Sequence, residues 1–208
     1  MRLISGSAGG IPLEVPKSVT RPTQDRVRQA VFNMLGELIS EACVLDLFAG
    51  SGALGLECLS RGAASALLVD QDRGACEVMK KNIAKTRLEG ATIRQGDVFK
   101  TVAQLAATGT TFDLVFADPP YAHKPGDIEL SAKLSADDAL RQIIAPGGSV
   151  ILESLATRNT TTFTDRWELV RERDYGSTRI VWLRKRGRLL PQRLMTVISL
   201  RFEGSCRA

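Results

Sequence analysis

The spacing of apolar residues changes near residue 43. Upstream, Val27, Ala30, Val31, Met34, Leu35 and Leu38 recur at three- and four-residue intervals, with Arg28, Gln29 and Glu37 off that face. This is the period of a helix packed along one side, and Thr23 is placed to cap it. Ahead of it, residues 2–5 and 11–15 read as two short strands around a glycine-rich turn from Gly6 to Gly10. Downstream, short apolar runs alternate with helical periods. Strands are expected at 43–48, 66–69, 91–95, 112–117 and 149–153, and helices over 53–61, 74–86 and 135–145. Ser135 with Asp138 fits a capping box for the last helix, and Pro146-Gly147-Gly148 reads as the turn into the next strand. Residues 167–172 and 179–184, joined through Tyr175-Gly176, read as a closing antiparallel pair. Strand–helix alternation of this kind buries a parallel sheet between helices. The expected fold class is therefore α/β and Rossmann-like. It has a mostly parallel seven-stranded sheet with helices on both faces, preceded by an N-terminal β-hairpin and helix.

Composition narrows the class without changing that outline. The 208 residues fit one domain with short appendages: a hairpin extension at 1–20, a main domain at 21–186 and a basic tail at 187–208. In the tail, Thr196, Ile198, Leu200 and Phe202 alternate like a strand, but the expectation is a disordered segment. A chain 44% hydrophobic and 25% charged is that of a soluble globular protein. No apolar run approaches the ~20 residues of a membrane span, and Ser5-Gly6 interrupts any secretory core, so a cytoplasmic protein is expected. Four cysteines without a C-x-x-C pair and a single histidine, His123, point to reduced thiols and no metal site. The net charge of +5 divides into +3 over residues 1–31, −4 over 32–183 and +6 over 184–208. Basic ends on a weakly acidic body suit phosphate contacts, although solvated surfaces are often equally basic.

The candidate chemistry sits where strands end. Gly50-Ser51-Gly52-Ala53-Leu54-Gly55 follows a strand and opens a helix, so the chain turns tightly and a ligand can approach the backbone. Asp70 ends the next strand, 18 residues after Gly52, placed to accept from ribose hydroxyls. Asp46 lies within the first strand, where a carboxylate can face a cationic ligand end. Asp97 closes the third strand, either to accept from an adenine amino group or simply to make a strand-end turn. A ligand with an α-ammonium, a ribose and an adenine uses all three acids, and S-adenosylmethionine has those parts. Asp118-Pro119-Pro120-Tyr121 follows the fourth strand, at the sheet edge where open α/β folds bind ligands. An exocyclic base amine is a weak nucleophile because its lone pair is delocalised into the ring. The Asp118 carboxylate and the Pro119 carbonyl, held on a stiff Pro-Pro backbone, can accept its hydrogens and redirect that lone pair. Tyr121 offers a flat face for a base taken out of its stack.

Three segments, Asp46–Gly55, Asp118–Tyr121 and Arg21-Pro22-Thr23-Gln24-Asp25-Arg26-Val27-Arg28, together resemble the RsmD family. These are bacterial class I methyltransferases that modify guanine N2 in small-subunit ribosomal RNA. Met1–Gly6, Phe32-Asn33 and Asn82 match as well, and the resemblance covers about residues 1–186. It implies a cofactor site for S-adenosyl-L-methionine lined by Asp46, Phe48, Gly50, Ser51, Gly52, Asp70 and Asp97, with Thr23 and Arg26 near the methionine end. Asp118, Pro119 and Tyr121 are implied to hold the guanine, and Arg2, Lys17, Arg21 and Arg28 to grip the RNA. The implied partner is 16S rRNA or the small ribosomal subunit, met by a monomer. The chain departs from the family in having Asp70 where glutamate is usual, in the loop after Tyr121, and in residues 187–208. Read from the residues alone, a DNA adenine-N6 methyltransferase, a nicotinamide-dependent oxidoreductase and a non-catalytic RNA-binding protein remain as alternatives.

Overall fold

The computed structural model describes residues 1–16, 25–120, 129–156 and 167–186. Thr23, Lys17, Arg21, Tyr121, His123 and the tail at 187–208 lie outside the described residues.

Helix α1 (Asp25–Leu35) is followed by a 3-10 turn (Gly36–Ile39) and strand β1 (Cys43–Leu47). Then come α2 (Ala53–Ser60), β2 (Ser65–Asp70), α3 (Arg73–Thr86), β3 (Ala91–Gln95), α4 (Val98–Ala107) and β4 (Phe112–Ala117). Two short helices, α5 (Leu130–Ala136) and α6 (Asp138–Ile143), lead into β5 (Ile144–Leu155) and the hairpin of β6 (Trp167–Tyr175) and β7 (Thr178–Lys185). The seven strands form one sheet in the order β3-β2-β1-β4-β5-β7-β6. β7 runs antiparallel to both its neighbours, and the other pairs are parallel. The chain steps outward from β1 to β3, then crosses back to place β4 on the other side of β1. That reversal leaves a crevice beyond the carboxyl ends of β1 and β4, the natural ligand site of an open α/β sheet.

Alternation along the strands divides the core into two layers. Val44, Leu68, Leu114, Phe116, Ile151 and Ile180 pack with α1, α2, α3 and the N-terminal segment. Leu45, Leu47, Val69, Val115, Ala117, Val150 and Leu152 pack with α4, α5 and α6 on the opposite face. By the same parity, Asp46, Asp70, Asp118 and Glu153 all project toward the α1–α2 side.

The structure corrects several expected elements. Residues 2–5 and 11–15 pair antiparallel, with Leu3 N–H donating to Ile11 O and Leu13 N–H to Met1 O at 3.0 Å each, yet only one bridge forms, Arg2 with Pro12. The segment is a docked loop pair because its polar groups go to α2 instead. Glu57, fully buried, accepts from Ile4 N–H at 2.6 Å and Ser5 N–H at 3.0 Å, and Ser60 Oγ donates to Ser5 O at 2.6 Å. Helix α1 stops at Leu35, so Leu38 falls in the 3-10 turn and is 51% exposed instead of buried. Helix α4 was missed, although Val98, Val102 and Leu105 have helical spacing and are buried. The single helix over 135–145 is two helices. Ser135 lies in the last turn of the first, its Oγ donating to Ala132 O, while the Asp137 carboxylate caps the second by accepting from Ala139 N–H at 2.8 Å. Pro146–Gly148 lies within β5, where the register to β4 jumps from Phe112–Ile144 to Leu114–Ser149, so the extra residues form a bulge. The two tryptophans are core residues with satisfied indole N–H groups: Trp167 donates to Ser135 O and Trp182 to Ser149 Oγ.

Candidate active site

The site is built on the loop between β1 and α2. Phe48, Gly50 and Gly52 have φ of +60°, +55° and +75°, so the chain reverses through the left-handed region within five residues. A non-glycine residue there is strained, and Phe48 holds that conformation where the strand meets the crevice. The loop is tied from three sides. Gly50 N–H donates to Asp70 Oδ2 at 2.8 Å, Ala49 N–H donates to Val69 O at 3.0 Å, and Asn82 Nδ2 donates to Ser51 O at 2.9 Å. Asn82, fully buried on α3, also accepts from Glu14 N–H at 2.8 Å and donates to Glu14 O at 3.0 Å. One side chain thereby joins the N-terminal segment to the glycine loop. Ser51 Oγ contacts Met1 Sδ at 3.5 Å on the same seam.

The glycines divide their work. Gly50 provides the turn, but a Cβ on Gly55 would stand 2.2 Å from Leu68 Cδ2, and one on Gly52 3.0 Å from Leu68 Cδ1. Those two positions are also small so that α2 can lie close to β2, a packing role beside the tight turn that Gly52 makes at its positive φ.

Three carboxylates meet at the crevice. Leu47 is paired with Val69 on one side and with Ala117 on the other, so Asp70 and Asp118 stand one residue further on the two strands flanking β1. At the usual strand spacing their Cα atoms lie on the order of 10 Å apart, with Asp46 below and between them. Asp46 is 1% exposed and accepts from Gly55 N–H at 2.9 Å. Burial pushes its carboxyl up to about 7, partly offset by the Gly55 hydrogen bond, and the charges of Asp118 and Asp70 add to the rise. A buried carboxyl in this state gains most from a cation placed beside it. Asp70 holds its two oxygens on Gly50 N–H and Asp72 N–H, the latter at 2.9 Å, which fixes the carboxylate at the loop edge.

The remaining expected site residues are distributed as follows. Asp97 is exposed and caps α4, accepting from Lys100 N–H at 2.9 Å, so the strand-end role is present and its outer face remains at the sheet edge. Pro119 is buried and Pro120 exposed, a stiff exit from β4 immediately after Asp118. Arg26 and Arg2 are exposed. Arg28 is not on the exposed surface where a phosphate-gripping residue was expected. It is 1% exposed, turned under α1, because Nη2 donates to Asp25 Oδ1 at 2.7 Å and to Arg2 O at 2.6 Å. Glu57, Asn82 and Glu153 were not singled out as polar anchors of this region. Glu57 had a legible signal: it lies in Ala53–Ser60, a helix whose other residues are almost all apolar or small, so its charge had to be paired inside.

The family model described as conserved hypothetical protein 95 matches residues 1–184. The ribosomal RNA small subunit methyltransferase D of Escherichia coli strain K12 is 38% identical over 177 residues, covering 85% of each chain. The Bacillus subtilis strain 168 protein YlbH is 34% identical over 189 residues, covering 90% of this chain and all of YlbH. The solved structure of yhhF from Escherichia coli superposes with a TM-score of 0.75 at 36% identity, covering 89% of this chain and 97% of that one. With a family model matched over residues 1–184 and 38% identity to a small-subunit methyltransferase D across 85% of both chains, this chain belongs to the RsmD family.

Proposed function

We propose that this chain methylates the N2 amine of a guanine in 16S ribosomal RNA, using S-adenosyl-L-methionine. The observation that carries the reading is the placement of Asp46, Asp70 and Asp118 on one face of the sheet around the crevice between β1 and β4. The residues fit this cofactor: a buried carboxyl held near neutrality awaits a cation, and Asp70 is fixed at the loop edge for hydroxyl groups. When bound, S-adenosylmethionine supplies a methyl group activated by its sulfonium. The protein's part is positioning. Asp46 holds the α-ammonium end, Phe48 to Gly52 shape the seat, Asp70 accepts from the ribose and Asp97 from the adenine side. The Asp118 carboxylate and the Pro119 carbonyl accept the two amine hydrogens, so the nitrogen lone pair is aimed in line with the methyl group. No strong base is required, because the proton is lost after the nitrogen has become cationic. We further place Thr23 near the methionine end and Tyr121 against the base, with Arg2, Lys17 and Arg21 on the RNA. The substrate is 16S rRNA or the small subunit that carries it, met by a monomer acting in the cytoplasm.

The direct test is transfer of labelled methyl from S-adenosylmethionine to unmodified small-subunit particles, with duplex DNA run in parallel. Label recovered as N2-methylguanosine from 16S RNA is the expected result. Label in DNA adenine would overturn it.

A second expectation concerns protons. A cation favours the ionised form of Asp46, so cofactor binding should expel the proton held in the free protein. Relative to Asp46→Asn, wild type is expected to release close to one more proton on binding at about pH 6 and close to none more at about pH 8. Calorimetry in buffers of different ionisation enthalpy measures the number. Equal release at both pH values, or release unchanged in Asp46→Asn, would remove Asp46 from contact with the cation.

A further inference from the structure

Among the described residues Arg28 has the largest fully buried side chain, and its set of partners is incomplete. Its Nη2 is held by Asp25 and the Arg2 carbonyl, whereas Nε and Nη1 are buried with no hydrogen-bond partner among the described residues. Native proteins rarely leave buried donors unpaired, and a guanidinium cannot shed its charge to escape the cost. This guanidinium lines a small, partly open pocket between α1 and the sheet. The cavity wall is mainly apolar, from Val31, Leu54, Phe116, Ile151 and Ile180, and its other polar members are Asp118 and Glu153. Ala117 pairs with Leu152, so these two acids are one residue further on adjacent strands and project to the same face. The cavity therefore continues the active-site crevice and presents two acceptors and one donor group.

We propose that Arg28 reads the O6 atom of the target guanine from this cavity, beside Asp118 at the N2 amine and Glu153 at N1–H. The assignment rests on the methyl-transfer reading above and adds the selection of the base. Along its pairing edge guanine presents N2–H, N1–H and then the O6 acceptor. Two carboxylates followed by a guanidinium complement that order. Adenine presents an amino donor and a ring-nitrogen acceptor, which sets its donor against Arg28 and its acceptor against a carboxylate. Arginine on guanine acceptors is also the commonest specific base contact in nucleic-acid recognition. Arg28 is thus a specificity residue placed on the buried side of α1, and the pair with Asp25 holds its tip in place.

The test is a cycle between one side chain and one base atom. Small subunits are reconstituted with ligated 16S RNA carrying either guanine or 2-aminopurine at the position the wild-type protein methylates. 2-Aminopurine keeps the N2 amine and lacks O6 and N1–H. Wild type is expected to lose roughly 10- to 100-fold in kcat/KM on the analogue. Arg28→Met is expected to lose a similar factor on guanine and little more on 2-aminopurine. Equal losses on both RNAs would make Arg28 a structural counter-ion to the acids and overturn the assignment. A matching loss of S-adenosylhomocysteine affinity by calorimetry would overturn it too, by placing the cofactor carboxylate there. If Arg28→Met melts before assay, Arg28→Lys, which keeps the charge, carries the same cycle. Absence of label from wild type on guanine RNA would be failure of the methyl-transfer reading itself, and the assignment falls with it.

Discussion

Replacing Asp118 by alanine is expected to lower kcat roughly 100- to 1,000-fold, the usual cost of deleting one preorganised polar group at a reacting centre. Cofactor affinity should not fall with it. Asp118 stands at the end of β4, across β1 from Asp70, and its charge helps keep Asp46 protonated. Its removal makes Asp46 easier to ionise, so near neutral pH the variant should bind S-adenosylmethionine at least as tightly as wild type. Asp118→Asn keeps an acceptor oxygen at the same place and should recover about tenfold or more of the lost rate. Single-turnover methyl transfer and calorimetry separate the two quantities. A variant that loses affinity and turnover together would move Asp118 from the amine to the cofactor. Normal turnover in Asp118→Ala would end its assigned role.

Replacing Glu57 by alanine is expected to destabilise the fold by about 3–5 kcal/mol, the range for removing one partner of a buried ion pair. The carboxylate is fully buried and accepts from Ile4 N–H, Ser5 N–H and Arg61 Nε, the last at 2.7 Å. Without it two backbone donors lose their acceptor, and Arg61 keeps only its position over the Phe32 ring, 4.8 Å from the centroid. For a chain of this size that corresponds to a fall in Tm on the order of 10 °C. Glu57→Gln retains the shape and one acceptor, and should cost about half as much. Gly6→Ala attacks the same seam sterically. A Cβ there would stand 1.8 Å from the Ser60 carbonyl oxygen, at a φ of +82° that alanine rarely adopts. It should therefore also release the N-terminal segment, seen as faster proteolysis ahead of Leu13 in the native protein. Thermal melts of Glu57→Ala that match wild type within about 2 °C would show that the segment is not held by this carboxylate.

How much of this was legible in the sequence follows from the range of the interactions concerned. The strands and the helices at 53–61 and 74–86 were readable because burial repeats with the geometry of one element, every second or every third to fourth residue. The glycine loop and the acids at strand ends were readable because strand–helix alternation places strand ends together at one edge. Helix α4 lies outside the expected elements although its spacing is visible, because Asp97 reads as an adenine acceptor or a strand-end turn and the cap it forms shows only in the folded chain. The capping box at Ser135 failed for a related reason. Two short helices compete for the same polar residues there, and the cap belongs to the residue whose backbone is extended, Asp137.

The sequence by itself determined the class of fold and the gathering of acids at the strand ends, because these depend on local periodicity and on which residues close each strand, and the reaction followed from the family resemblance. Tertiary structure alone decided which polar residues turn inward. Arg28 looks like a surface charge on its helix, and only the N-terminal segment folded against α1 makes it a buried anchor. Asp46 is raised to about 7 by burial and by the charges of Asp118 and Asp70, residues 72 and 24 positions away along the chain. Desolvation and Coulomb interactions depend on distance through space, and the order of residues along the chain does not contain that distance.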